Sequence, residues 1–307
     1  AQLPAGGLGE SPTAAPVLDI PSAAEGSEYF SSEAAASAST CDAPKMVDAA
    51  VACSTPDPIH GFLGYRYEVS STEWIIGSGN QFGMFSFNWD HYQGAGVEQG
   101  FGLGFQFHLL SGPIQTDMPP RLYDFSVSYQ HRERLGVFSY DVAGAVVASS
   151  DFEGNSRDGI RFPGHAVGFL SIGTNTDLVF GIDYLDRGDV KLLPVGGLIM
   201  VPHPDVRLEV VFPRPRAVFR LTGKHQLYVS GELGGSSWAI ERAVTMVDDL
   251  ATYRDLRLCI GLQEIDDDND RTAIEIGYLF DRRLEYTSGS GDFFPGDTAM
   301  IRFVRTF

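Results

Sequence analysis

Lysine is nearly missing from this chain. Among 307 residues it occurs only at Lys45, Lys191 and Lys224, so arginine carries most of the positive charge. Arginine pairs with carboxylates through a fixed, two-pronged fork, which suits an ordered polar interior. A basic face is missing as well. The formal net charge is −18 and the isoelectric point is near 4.6. That excludes a nucleic-acid partner, which would need a stripe of Lys and Arg, and fits an exported protein facing cations or lipid headgroups. No run of about 18 apolar residues exists, which excludes a membrane-spanning helix. It does not exclude a membrane, because a barrel strand needs only about 10 residues and alternates apolar with polar. The mean hydropathy of −0.05 is what such averaging gives. Cysteine is scarce, with three in all. Cys41 and Cys53 would close a loop of about a dozen residues, a disulfide in an oxidising compartment; three reduced thiols are the alternative. Cys259 reads as a small buried residue. No repeat of fixed period is present, which argues against a propeller or a β-helix.

What is abundant is glycine, at 35 residues, and aromatic side chains, at 12%. Both fit short strands, tight turns and close backbone approach. Residues 1–58 differ from the rest. They are rich in Ala, Ser, Pro, Gly and Glu and show little alternation, so they read as a periplasmic linker or as an arm that plugs the pore or binds a partner. The start, Ala1-Gln2, carries neither a charged region nor an apolar stretch, and is expected to follow a removed signal peptide.

Alternation starts near Gly64 and persists. Phe85, Phe87 and Trp89 alternate with Ser86, Asn88 and Asp90. Phe101, Leu103, Phe105 and Phe107 alternate with Gly100, Gly102, Gly104 and Gln106. A soluble sandwich could bury one such face, but rows of phenylalanine set against glycine fit a barrel wall better, with bulky groups in lipid and room inside. The same period runs through residues 123–146, 178–184, 207–212, 256–263 and 274–281. At Gly234-Gly235 the parity flips, so that Trp238 and Ile240 become the apolar set, which marks a bulge or a turn. The expected fold is all-β: a transmembrane antiparallel barrel of about 12–14 strands over residues 59–307, with an irregular N-terminal arm.

Two stretches carry resemblances. Ile301, Phe303 and Phe307 share one parity in the last strand, which resembles the C-terminal signal of bacterial outer-membrane barrels. The resemblance implies that the barrel-assembly machinery recognises Phe307. The block Pro194-Val195-Gly196-Gly197, Pro204-Asp205-Val206-Arg207-Leu208 and Phe212-Pro213-Arg214-Pro215-Arg216 resembles an uncharacterised, porin-like family of outer-membrane barrels common in planctomycetes. That resemblance implies a location and a fold over roughly residues 60–307, and no chemistry.

The candidate site is the inward parity of the second half: Arg207, Glu209, Arg220, Glu232, Glu241, Arg257, Glu275, Asp281 and Arg302. Facing lipid, each arginine would cost about 2–4 kcal/mol near the midplane, so these are expected to line the lumen. They form either a solute-selecting constriction or an interlocked salt-bridge network that fills the barrel. Arg242, on the apolar parity, is expected at a strand end. Trp74, Trp89, Trp238, Tyr184 and Tyr286 are expected in interfacial girdles. Asp266-Asp267-Asp268-Asn269-Asp270 has alternating acids but lacks the glycine and late glutamate of a calcium loop, and reads as a solvated turn. Asp90 and His91 are neighbours on one strand and point to opposite faces, so no catalytic group is assigned. The histidines show no ligand spacing; no metal or cofactor is expected. The function expected is passive diffusion of small solutes, with a closed barrel anchoring another envelope protein as the alternative. The partners expected are outer-membrane lipid and the assembly machinery, with a homo-oligomer or an envelope protein left open.

Overall fold

The computed structural model describes residues 65–77, 82–94, 98–112, 116–154, 156–173, 175–266 and 270–307. The N-terminal arm, with Cys41 and Cys53, lies outside the described residues, as does the centre of the acidic turn at 267–269.

The strands are β1 (Tyr65–Ile75), β2 (Gly83–Gly94), β3 (Gln99–Ser111), β4 (Arg121–Leu135), β5 (Phe138–Ser150), β6 (Ile160–Arg161), β7 (Gly164–Ser171), β8 (Thr176–Tyr184), β9 (Leu192–His203), β10 (Val206–Phe212), β11 (Arg216–Arg220), β12 (His225–Glu241), β13 (Asp248–Ile265), β14 (Arg271–Tyr286) and β15 (Thr298–Thr306). All but the two-residue β6 join into one antiparallel ring of 14. The seam is β15 on β1, with Trp74 opposite Ile301 and Val69 opposite Thr306. At the end that carries the start of β1 and the end of β15 the connections are short, as at Gly136-Val137 and Pro204-Asp205. At the other end they are longer, spanning 151–163, 185–191 and 287–297. The strand β4 continues through Arg132–Arg134, and the hairpin reverses at Gly136.

The alternation sorts side chains as a bilayer demands. Phe85, Phe101, Leu103, Phe125, Phe180, Ile260, Ile276 and Phe303 are exposed on the outside, and the intervening Ser86, Asp90, Gln106, Asp124, Glu275 and Arg302 are buried within. Neighbouring strands stack their outer rings: Phe105 on Phe125 at 5.1 Å and Phe107 on Tyr123 at 5.2 Å between centroids, each pair directly opposite in register. An apolar belt of this extent cannot stay in water, and a closed ring leaves no unpaired strand edge in lipid. The fold is a transmembrane β-barrel. The inward glycines of β3 make room for neighbours: a Cβ on Gly102 would sit 2.3 Å from Ser128 Oγ, and one on Gly100 would meet the Tyr92 ring.

One hairpin departs from the simple ring. β12 keeps its partner β11 as far as Ser230. Beyond Gly234 it loses alternation, and every residue from Gly234 to Ile240 is buried. Gly235 takes a φ of +114°, a conformation closed to most side chains, and turns the strand. The pairing with β13 continues unbroken to Glu241 opposite Asp248. The turned segment then meets the facing wall, where Ala239 bridges to Ser150 of β5. This divides the loop end into two sectors. The side bounded by β1–β5 and β12–β15 is filled by an apolar core of Ile75, Phe82, Met84, Leu122, Trp238, Tyr253, Leu279 and Met300. A smaller cluster of Val167, Val179, Val195, Ile199 and Val211 lines the β7–β10 side.

Candidate functional site

The strands β1, β12, β13, β14 and β15 present one continuous charged cluster to the interior. Arg257, wholly buried, is its hub. Its Nε donates to Asp255 at 2.6 Å, and its Nη1 donates to Glu73 at 2.8 Å and to Glu232 at 3.3 Å. Arg302 stands on the other side of the same carboxylates: it donates to Glu232 at 2.9 Å, lies 3.5 Å from Glu73, and donates from Nε to Glu275. The Tyr228 hydroxyl donates to Glu275. Each guanidinium is thus shared among several carboxylates, the condition under which buried charge is tolerated. Glu73, Glu232, Asp255, Arg257, Glu275 and Arg302 interlock along one wall of the barrel.

The other residues named for the lumen fall elsewhere. Arg207 and Glu209 pair with each other at 2.8 Å on the inner face of β10. Arg220 has the inward parity but ends exposed at the rim of β11. Glu241 ends the turned-in segment of β12, where its backbone N–H donates to Asp151 at 2.8 Å. Asp281 is exposed and pairs with Arg254 and Arg283. It is not in the lumen because β14 carries a bulge there: the register slips between Arg254 and Leu256 of β13, and Asp281 has a φ of +47°. The slip turns Arg282 inward, where it donates to the Tyr253 hydroxyl at 2.9 Å and to the Phe82 and Gly296 carbonyls. Arg242 lies just past β12, as expected. It joins its own loop to Asp117 between β3 and β4 and to Ser288 between β14 and β15, and it also holds Asp249 and the Tyr286 ring at neighbouring strand ends. Trp238 and Tyr286, expected at the membrane interface, are buried inside the loop end.

The second group lies where the turned hairpin reaches the opposite wall. Trp238 Nε1 donates to Asp124 of β4 at 3.0 Å; β4 lies half-way round the ring from β12. Asp124 also bonds His108 Nε2 at 2.8 Å, and His108 Nδ1 bonds Ser86 at 2.7 Å. Ser149 donates to the second Asp124 oxygen, and Arg161 bonds both Ser149 and Ser236. From the 185–191 connection, Arg187 donates to the Gly234 and Gly235 carbonyls at 2.9 and 3.1 Å while paired with Asp189. Ser86, His108 and Asp124 are the residue types of a hydrolytic triad. His108, however, is fully buried and edge-on to Trp238 at 5.5 Å, and a nucleophile needs a place for its substrate. The arrangement is a clasp for the hairpin. Asp90 and His91 part as the strand geometry requires: Asp90 is buried, and His91 pairs with Glu68 at 3.1 Å. Among the described residues, no group of three or more His, Cys, Asp or Glu side chains could hold a metal.

No protein-family model and no curated protein matches the chain. Solved structures that match it include a bacterial polysaccharide outer membrane secretin, at 8% identity and a TM-score of 0.42 over 79% of this chain and 97% of that one. NanC porin gives 8% and 0.40 over 79% and 99%, and the Pseudomonas putida toluene transporter TodX gives 9% and 0.35 over 78% and 87%.

Proposed function

We propose that this chain is a porin-like barrel of the bacterial outer membrane, held shut at its loop end and passing small polar solutes when the β12–β13 hairpin withdraws. The observation that carries the reading is the clasp itself. A barrel built to stay closed can fill with apolar side chains alone, whereas the contact that spans this one runs through Trp238, Asp124, His108, Ser149 and Arg161. Those groups can be hydrated when parted, so opening strands fewer dry surfaces. A structural barrel that anchors an envelope protein through residues 1–58 is the second reading. It is favoured by the apolar core packed behind the clasp.

Planar-bilayer recording separates the two. The intact protein is expected to be silent or to open in brief steps. A variant with residues 236–252 replaced by a short Gly-Ser turn is expected to conduct steadily. Silence from a folded variant of that kind would leave the anchoring role.

A further inference from the structure

The inner face of β7–β10 is apolar. Val167, Val179, Val195, Ile199, Val201 and Val211 are each 5% exposed or less. The register sets them in rows. Phe169, Val179, Gly197 and Val211 stand side by side on four neighbouring strands, and Val167, Gly181 and Val195 form the next row towards the loop end. Gly181 and Gly197 bring no side chain, so the patch is a shallow furrow. The apolar core on the other side of the loop end has two layers, because Trp238 and Ile240 of the turned hairpin lie against the wall. The β7–β10 cluster has one. Among the described residues it draws only on those four strands, whose main contacts are with their neighbours in the sheet. An apolar sheet face needs an element packed on it.

The loop end is crossed by the turned hairpin, to which the 185–191 connection is tied through Arg187 and Gly188. The opposite end is where residues 1–64 lead into β1. Val179, Ile199 and Val201 lie in the halves of β8 and β9 nearer that end. Most of the arm is rich in Ala, Ser, Pro, Gly and Glu. Residues 46–53 differ, reading Met-Val-Asp-Ala-Ala-Val-Ala-Cys with Asp48 as the single charge. Their reach is sufficient. β8 stands nearly across the ring from β1, and a ring of 14 strands about 4.8 Å apart is about 25 Å wide. The twelve residues from Cys53 to Tyr65 can span about 40 Å. A tethered segment also meets the patch at a far higher local concentration than a free partner does.

We propose that residues 46–53 dock on the inner face of β7–β10, so that the N-terminal arm plugs this sector of the lumen from the end that carries the start of β1. The docked segment supplies the second apolar layer that the four strands lack. The inference does not depend on whether the barrel conducts, and its test needs no conductance.

The test uses the full chain refolded in detergent, with Cys41→Ser, Cys53→Ser and Cys259→Ser. Val47→Cys or Val51→Cys is combined with Val179→Cys. The control partner is Ala273→Cys, on the inner face of β14 and nearly across the ring from β8. A short bis-maleimide should join the arm to position 179 and not to 273, read by peptide mass spectrometry. Should Val179→Cys fail to fold, Val195→Cys in the next row takes its place. In a second measurement, Val47→Cys alone should react with a bulky maleimide about tenfold more slowly in the folded chain than in the unfolded one, and Val179→Asp, which puts a charge on the patch, should restore the fast rate. No link from either arm position to the β7–β10 face, or equal yields with 179 and 273, would overturn the proposal. Labelling of Val47→Cys as fast in the folded chain as in the unfolded one would overturn it too, and would leave the face to a separate partner.

Discussion

Arg257 shows how much of this interior hangs on single side chains. Its guanidinium serves Asp255, Glu73 and Glu232 at once and is sealed from solvent. Replacing it with leucine leaves Glu73 and Glu232 to Arg302 alone and takes from Asp255 the guanidinium that pairs with it. Breaking one partner out of a buried pair typically costs about 3–5 kcal/mol, so Arg257→Leu should destabilise by at least that, measured by urea unfolding from lipid vesicles. A loss below about 1 kcal/mol would mean that water or a rearranged Arg302 takes over the carboxylates. The members of this cluster were partly legible in the sequence. Strict alternation assigned Glu232, Arg257, Glu275 and Arg302 to the inner face, and the cost of arginine in lipid fixed the direction. Glu73 and Asp255 were missed because each sits at the margin of a clean run. Asp281 was misplaced and Arg282 overlooked because a one-residue bulge reverses every later side chain, and nothing in Phe280-Asp281-Arg282 announces one.

At the scale of the element, β12 is the strand that decides what the barrel can do. Its departure from the ring needs Gly235. The φ of +114° suits glycine, and a Cβ there would lie 2.1 Å from the Tyr253 carbonyl oxygen. Gly235→Val should therefore prevent the inward turn while leaving the pairing of residues 225–233 in place. The expected result is a barrel that inserts normally, with residues 236–252 open to added protease from the loop side, while the wild type resists. Equal resistance in both would show that the turn is set by the clasp rather than by the glycine. The parity flip at Gly234-Gly235 was visible in the sequence; its meaning was not. A flip marks a change of face, and a hairpin that stays in the wall and one that crosses the lumen give the same pattern, since both then show a single apolar parity. What separates them is Asp124 and Ser150, more than eighty residues away, and alternation says nothing about strands half a ring apart. Trp238 was placed at the interface for the same reason.

On the scale of the whole molecule, the seam between β1 and β15 turns a sheet into a barrel. Along it Val69 to Ile75 pair with Thr306 to Met300, and Glu68 exchanges two backbone hydrogen bonds with Phe307. The closed ladder leaves no edge to start unravelling, and the apolar belt outside gives detergent nothing to displace within. The folded protein should therefore survive sodium dodecyl sulfate at room temperature and migrate as a compact band, shifting to its full 33.4 kDa position only after boiling. Deleting residues 298–307 removes β15 and leaves β1 and β14 as two unpaired edges within the bilayer. Each backbone group exposed there costs several kcal/mol, far more than the 5–15 kcal/mol by which a folded chain is usually stable can absorb across a whole strand. That variant should give no compact band in any detergent. The clasp supplies the contrast, because Ala239 and Ser150 are joined by a single bridge and the ring closes without them. Cutting the hairpin should leave the compact band intact, with at most a lower boiling threshold. A loss of the band on cutting the hairpin would instead make the crossing, and not the seam, the contact on which the barrel closes.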